Sequence, residues 1–71
     1  MVIREKIGAE LRALRLKRNL STRELAERVG VAHSHIVRIE NGKYNVRIET
    51  IEQIAAALGA GLALVEKQKN E

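Results

Sequence analysis

The sequence predicts an all-α fold: four helices followed by a short apolar element. Two kinds of observation predict it. Apolar residues recur at three- and four-residue spacing in separate stretches, the period of a helix with one buried face. Those stretches are punctuated by helix start and stop signals, and the chain contains no proline, so caps and glycines carry the boundaries.

Ile3, Ile7, Leu11 and Leu14 form the first stripe, with Arg4, Glu5, Lys6, Arg12 and Lys17 on the other faces. The spacing predicts a helix over about 3–18, ending before Asn19. Ser21-Thr22-Arg23-Glu24 is a capping box, flanked by Leu20 and Leu25 as a hydrophobic staple. The second helix is expected over about 22–29, stopped by Gly30. Only Val31 and Ala32 precede a third pattern, about 33–40, which Asn41-Gly42 closes. After a polar connection, Ile48, Ile51, Ile54, Ala55 and Leu58 share one face of a fourth helix, about 48–58, ended by Gly59. Beyond Gly61 the helical period is lost in Leu62-Ala63-Leu64-Val65. A short strand over about 61–65 is favoured there over a fifth helix, and about 66–71 is expected to fray.

Composition narrows the function. Thirteen Lys+Arg against nine acidic residues, all Glu, give +4. Residues 1–30 hold eight basic and four acidic groups, a balance of +4, while residues 31–71 hold five of each. The excess and a pI near 10.0 point to an anionic partner, nucleic acid first. With 71 residues the chain is one small domain, and its core is marginal alone. The lack of Cys excludes disulfides and thiolate metal sites, which leaves dimerisation as the added support. The N-terminus has no signal-peptide pattern. The longest run without a polar side chain, Ile54–Val65, is well short of the roughly 20 residues that span a bilayer. A soluble, cytoplasmic protein without membrane contact is expected.

The second and third helices have the layout of a helix-turn-helix, whose second helix enters the DNA major groove. Ala26 lets the two helices cross closely, Gly30 makes the turn, and Ile36 and Ile39 clamp the second helix to the core. An ordinary helical hairpin needs none of these at fixed offsets.

Leu20-Ser21-Thr22-Arg23-Glu24-Leu25-Ala26, Gly30-Val31-Ala32 and Ile36-Val37-Arg38-Ile39-Glu40-Asn41-Gly42-Lys43 together resemble the lambda-repressor-like, XRE-type family of bacterial and phage regulators. Ile48-Glu49-Thr50-Ile51, with Ala57-Leu58-Gly59, resembles that family's fourth helix. The resemblance implies a compact all-α domain of five elements that binds pseudo-palindromic double-stranded DNA as a homodimer. It also implies that Arg15 and Glu40 pair as a structural ion pair. Three positions depart from the family pattern. Thr22 stands for the usual Gln, Ala32 for a Ser or Thr N-cap, and Val46-Arg47 for a Pro and a small polar cap.

On the third helix, Ser34, Val37 and Arg38 lie opposite Ile36 and Ile39, and His33 is in the first turn. His33, Ser34, Val37 and Arg38 are therefore the candidate base readers. Arg38 suits guanine and Val37 a thymine methyl. Phosphate contacts are expected from Ser21, Thr22 and Arg23 at the start of the second helix, from His35, and from Lys43, Tyr44 and Arg47 around the following loop. For Tyr44, packing over the fourth helix competes with a phosphate contact. His33 and His35, two apart on a helix, point away from each other and cannot share a metal ion.

The leading function is a sequence-specific transcriptional regulator, a repressor by resemblance. A DNA-binding antitoxin that also holds a toxin protein is the alternative, supported by the expected terminal strand. An enzyme is disfavoured: there is no Cys, no Asp and no Gly-rich phosphate loop, and no cofactor is implied.

Overall fold

A computed structural model of the chain describes residues 3–63. Within them lie four helices: α1 (Ile3–Lys17), α2 (Thr22–Val29), α3 (His33–Glu40) and α4 (Ile48–Ala57). Each boundary falls within a residue of its expectation, because the start and stop signals are local.

Ser21 caps α2 through a capping box: its hydroxyl accepts from the Glu24 amide, and the Glu24 carboxylate accepts from the Ser21 amide. The ends of the helices share another device. Leu20, Val31, Lys43 and Ala60 each donate a backbone bond back into the preceding helix, to Arg15, Ala26, Arg38 and Ala55 respectively. The residue before each donor, namely Asn19, Gly30, Gly42 or Gly59, has positive φ. In contrast, α3 and α4 start on Ala32 and Arg47, neither of which makes a side-chain cap.

The core gathers Leu11, Leu20, Leu25, Ala26, Ile36, Ile39, Ile51, Ile54, Ala55 and Leu58. Leu25, Ile36, Ile39, Ile54 and Leu58 are the largest fully buried side chains, each worth about 1.5–3 kcal/mol of transfer free energy. Helix α3 packs on α1 and α2, and α4 packs on α2. At the α1–α3 crossing, Gly8 meets the end of α3, where a Cβ would run into the carbonyl oxygens of Ile39 and Glu40. The Arg18 Nε donates to the Leu58 carbonyl at 3.0 Å and sews the end of α1 to the end of α4.

Three expectations are corrected. Ile48 is 69% exposed and Ile3 48% exposed, although each shares a helical face with core residues. Both are the first residues of their helices, and among the described residues no neighbouring element buries them. Residues 61–63 form no strand. A strand needs a ladder partner, and among the described residues no other strand exists to supply one. Leu64, Val65 and the tail 66–71 lie outside the described residues.

Candidate nucleic-acid interface

The inner side of α3 is fully committed. Ile36 and Ile39 are each 1% exposed. Glu40 accepts two bonds from the Arg15 guanidinium, Nε to Oε2 at 2.6 Å and Nη2 to Oε1 at 3.0 Å. The third nitrogen, Nη1, donates to the Leu20 carbonyl at 2.8 Å. This bidentate, nearly buried pair ties α1 to α3, and the bond to Glu40 raises the Arg15 pKa further above its ordinary value. It is a structural clamp.

The outer side of α3 is open. Ser34 and Arg38 are exposed, while His33, His35 and Val37 are half-buried. Arg38 does not extend freely: its Nε donates to the Lys43 carbonyl at 3.2 Å, which leans the guanidinium towards the α3–α4 loop. There His35, Arg38, Tyr44, Asn45 and Val46 line an open cleft of about 250 Å³. Tyr44 is half-buried against the core, and the Arg4 guanidinium sits 5.9 Å from its ring centroid. Tyr44 therefore packs on the core and beside Arg4 of α1. Lys43 and Arg47 are exposed on the same loop.

At the start of α2, Ser21 and Arg23 are exposed and Thr22 is half-buried. The Ser21 amide is taken by Glu24, and that bond holds the Glu24 carboxyl below its ordinary range. Thr22 Oγ1 lies 2.7 Å from His33 Nε2. The expected base readers all lie on α3, Ser34, Val37 and Arg38 on the side away from Ile36 and Ile39 and His33 in the first turn, but two of them are restrained: His33 by α2 and Arg38 by the loop. Sequence reasoning missed both restraints, along with Asn45 and Arg4. Asn45 stands beside Tyr44 in the chain and was legible as a polar loop residue. Arg4 reaches Tyr44 only through the fold.

A family profile described as a helix-turn-helix domain matches residues 6–68. The chain belongs to the lambda-repressor-like helix-turn-helix family. Among its helix-turn-helix relatives, the transcriptional repressor RghR of Bacillus subtilis is 47% identical over 55 residues, covering 76% of this chain and 41% of RghR. The immunity repressor protein of Bacillus phage phi105 is 32% identical over 59 residues, covering 83% of this chain and 41% of the phage protein. The chain thus matches about two-fifths of the length of these relatives. In structure, the helix-turn-helix chain superposes on the clp gene regulator ClgR of Corynebacterium glutamicum with a TM-score of 0.83 and 34% identity, over 87% of this chain and 80% of ClgR. No helix among the described residues is long and apolar enough to cross a membrane.

Proposed function

We propose that this chain is the operator-reading domain of a cytoplasmic transcriptional repressor and that it carries out no chemistry itself. The observation that carries this reading is the division of α3. Its inner side is locked by Ile36, Ile39 and Glu40, while Ser34, Val37 and Arg38 face outward with His33 at the helix start. A helix presented in this way fits the major groove. His33, Ser34, Val37 and Arg38 read base edges. Ser21, Thr22 and Arg23 hold one phosphate at the start of α2, where free amides and the positive end of the helix dipole favour an anion. His35, Lys43, Tyr44 and Arg47 hold the backbone on the loop side, around the cleft that Arg38 also lines. Residues 1–71 act as one domain. Two copies bind a pseudo-palindromic operator as a homodimer, with half-sites about 10 base pairs apart, centre to centre, so that both recognition helices meet one face of the duplex.

Selection of bound sequences from a random duplex library tests the reading. The expected outcome is a symmetric motif with that spacing. Salt titrations then separate the roles. Arg38→Ala should lose about 1–3 kcal/mol on the selected site and relax one position. Lys43→Ala should weaken all duplexes alike and lower the salt slope by about 1. Equal losses for Arg38→Ala on selected and scrambled duplexes would make Arg38 a phosphate clamp, in keeping with its bond to the loop. Failure of the wild-type chain to enrich any sequence refutes the reading as a whole.

A further inference from the structure

Arg4 has no part in the reading above, yet the fold brings it to the loop that holds phosphates. It is exposed in the first turn of α1, and its guanidinium sits 5.9 Å from the centroid of the Tyr44 ring. The backbone shows the same closeness. A Cβ on Gly42 would meet Glu5 Cα at 2.8 Å and Glu5 Cγ at 2.7 Å. The first turn of α1 therefore lies against residues 42–44, just beyond the end of α3. Tyr44 in turn lines the open cleft with His35 and Arg38.

The charge on Arg4 is not spent inside the protein. Three and four residues further along α1, where a carboxylate could pair with it, stand Ile7 and Gly8. The Glu40 carboxylate is taken by Arg15, and among the described residues Arg4 forms no salt bridge. The Tyr44 ring attracts the cation, and at this distance it takes up none of the N–H donors. Around the loop Arg4 joins the exposed Arg38, Lys43 and Arg47, with Glu5 as the acid beside them. A guanidinium fits a phosphate with two donors at once, so a chain of phosphates is the partner that this surface suits.

Resting on the DNA-binding reading, we propose that Arg4 grips a phosphate of the DNA backbone and that the Tyr44 ring is its positioning group. The surface that meets DNA then includes the start of α1 as well as α2, α3 and the loop. Tyr44 has two separable tasks: its hydroxyl bonds to the backbone, and its ring keeps Arg4 beside the loop.

Affinity is measured against salt for wild type, Arg4→Ala, Tyr44→Phe, Tyr44→Leu and the double variant Arg4→Ala with Tyr44→Leu, each on the selected duplex and on a scrambled one. Arg4→Ala should lower the salt slope by about 0.9. At 0.1 M salt it should bind about 8-fold more weakly, the factor that such a slope gives between 1 M and 0.1 M, and equally on both duplexes. Its thermal melt should match wild type, because Arg4 is exposed. Tyr44→Phe keeps the ring and should keep the wild-type slope, since a hydroxyl releases no counterion. Tyr44→Leu should have a shallower slope, and adding Arg4→Ala to it should cost clearly less than 8-fold. An unchanged slope for Arg4→Ala, or a loss confined to the selected duplex, overturns the phosphate contact. A full 8-fold effect of Arg4→Ala in the Tyr44→Leu background overturns the positioning role. If Tyr44→Leu fails to fold, Arg4→Ala is combined with Tyr44→Phe, where the ring remains and the full 8-fold loss is required; a smaller one overturns the role of the ring. Ethylation of single phosphates gives an independent check. One phosphate per half-site should block wild type when ethylated and leave Arg4→Ala indifferent, and an identical pattern for both proteins overturns the proposal. A wild type that binds no duplex in a salt-dependent way defeats the DNA-binding reading too, and is recognised because no variant is involved.

Discussion

Replacing Arg15 with Ala should bring the fold close to its stability limit. Arg15 is only 7% exposed and donates from three nitrogens, two bonds to Glu40 and one to the Leu20 carbonyl. Its removal leaves a nearly buried carboxylate with no counter-charge and a backbone carbonyl without its donor. Losing one partner of a buried pair costs about 3–5 kcal/mol. A chain of 71 residues has a total stability of about 4–11 kcal/mol, from the usual range per residue. The single substitution thus removes about a quarter or more of what is there. With a urea slope of about 1 kcal/mol per molar, the midpoint should fall by about 3 M or leave no folded baseline. Removing both charges together, as Arg15→Met with Glu40→Leu, should recover most of the loss, because no lone charge is left buried. Urea titration followed by circular dichroism at 222 nm reads all three proteins. Two results refute the reasoning. One is a loss below about 1 kcal/mol for Arg15→Ala, the scale of an exposed pair. The other is an apolar double variant as unstable as the single one.

Other substitutions test other parts of the structure. Ala32 holds the N-cap position of α3 with extended backbone and no side-chain bond, so Ala32→Ser should raise stability by about 1 kcal/mol in a thermal melt. Gly30 and Gly42 both have positive φ, but a Cβ on Gly30 meets nothing within 4 Å, whereas one on Gly42 meets the Glu5 backbone at 2.8 Å. Gly30→Ala should cost about 1–2 kcal/mol, and Gly42→Ala clearly more, since α1 must also shift; equal losses would remove the steric part of this account. Glu24 has its pKa lowered by its bond from the Ser21 amide, so its contribution is present above the ordinary carboxylate range and disappears as pH falls through the lowered value. Glu24→Gln should therefore melt earlier than wild type at neutral pH and converge with it in acid; a gap independent of pH would show that the charge plays no part.

The helices were legible because their signals are local. Ser21 and Glu24 announce the start of α2 three residues apart, and Gly30, Gly42 and Gly59 stand where their helices close. The faces were legible from periodicity, which places Ile36 and Ile39 correctly. Periodicity says which side a residue is on, but not how far the neighbour on that side extends. Ile3 and Ile48 were misplaced for that reason. Nothing in the spacing marks Gly8 as the crossing point of α1 and α3, since the carbonyls it meets belong to Ile39 and Glu40. The Arg15–Glu40 pair was reached through family resemblance. The bonds from Thr22 to His33 and from Arg38 to Lys43 depend on side-chain directions that only the packed helices set.

The split of α3 into a locked side and an open side also bears on how such a domain can diverge. Substitutions at Ser34 touch none of the anchors that fasten α3 to α1, so new target sequences can be explored there at little risk to folding. Drift at Ile36, Ile39 or Glu40 meets packing and a buried charge at once, and selection will remove it whatever the target. His33 belongs to neither group. Its hydrogen bond to Thr22 crosses between helices, so a change at either residue alters the context in which the other is selected. Between duplicated copies of this gene, position 34 should wander independently, while positions 22 and 33 should move together or stay.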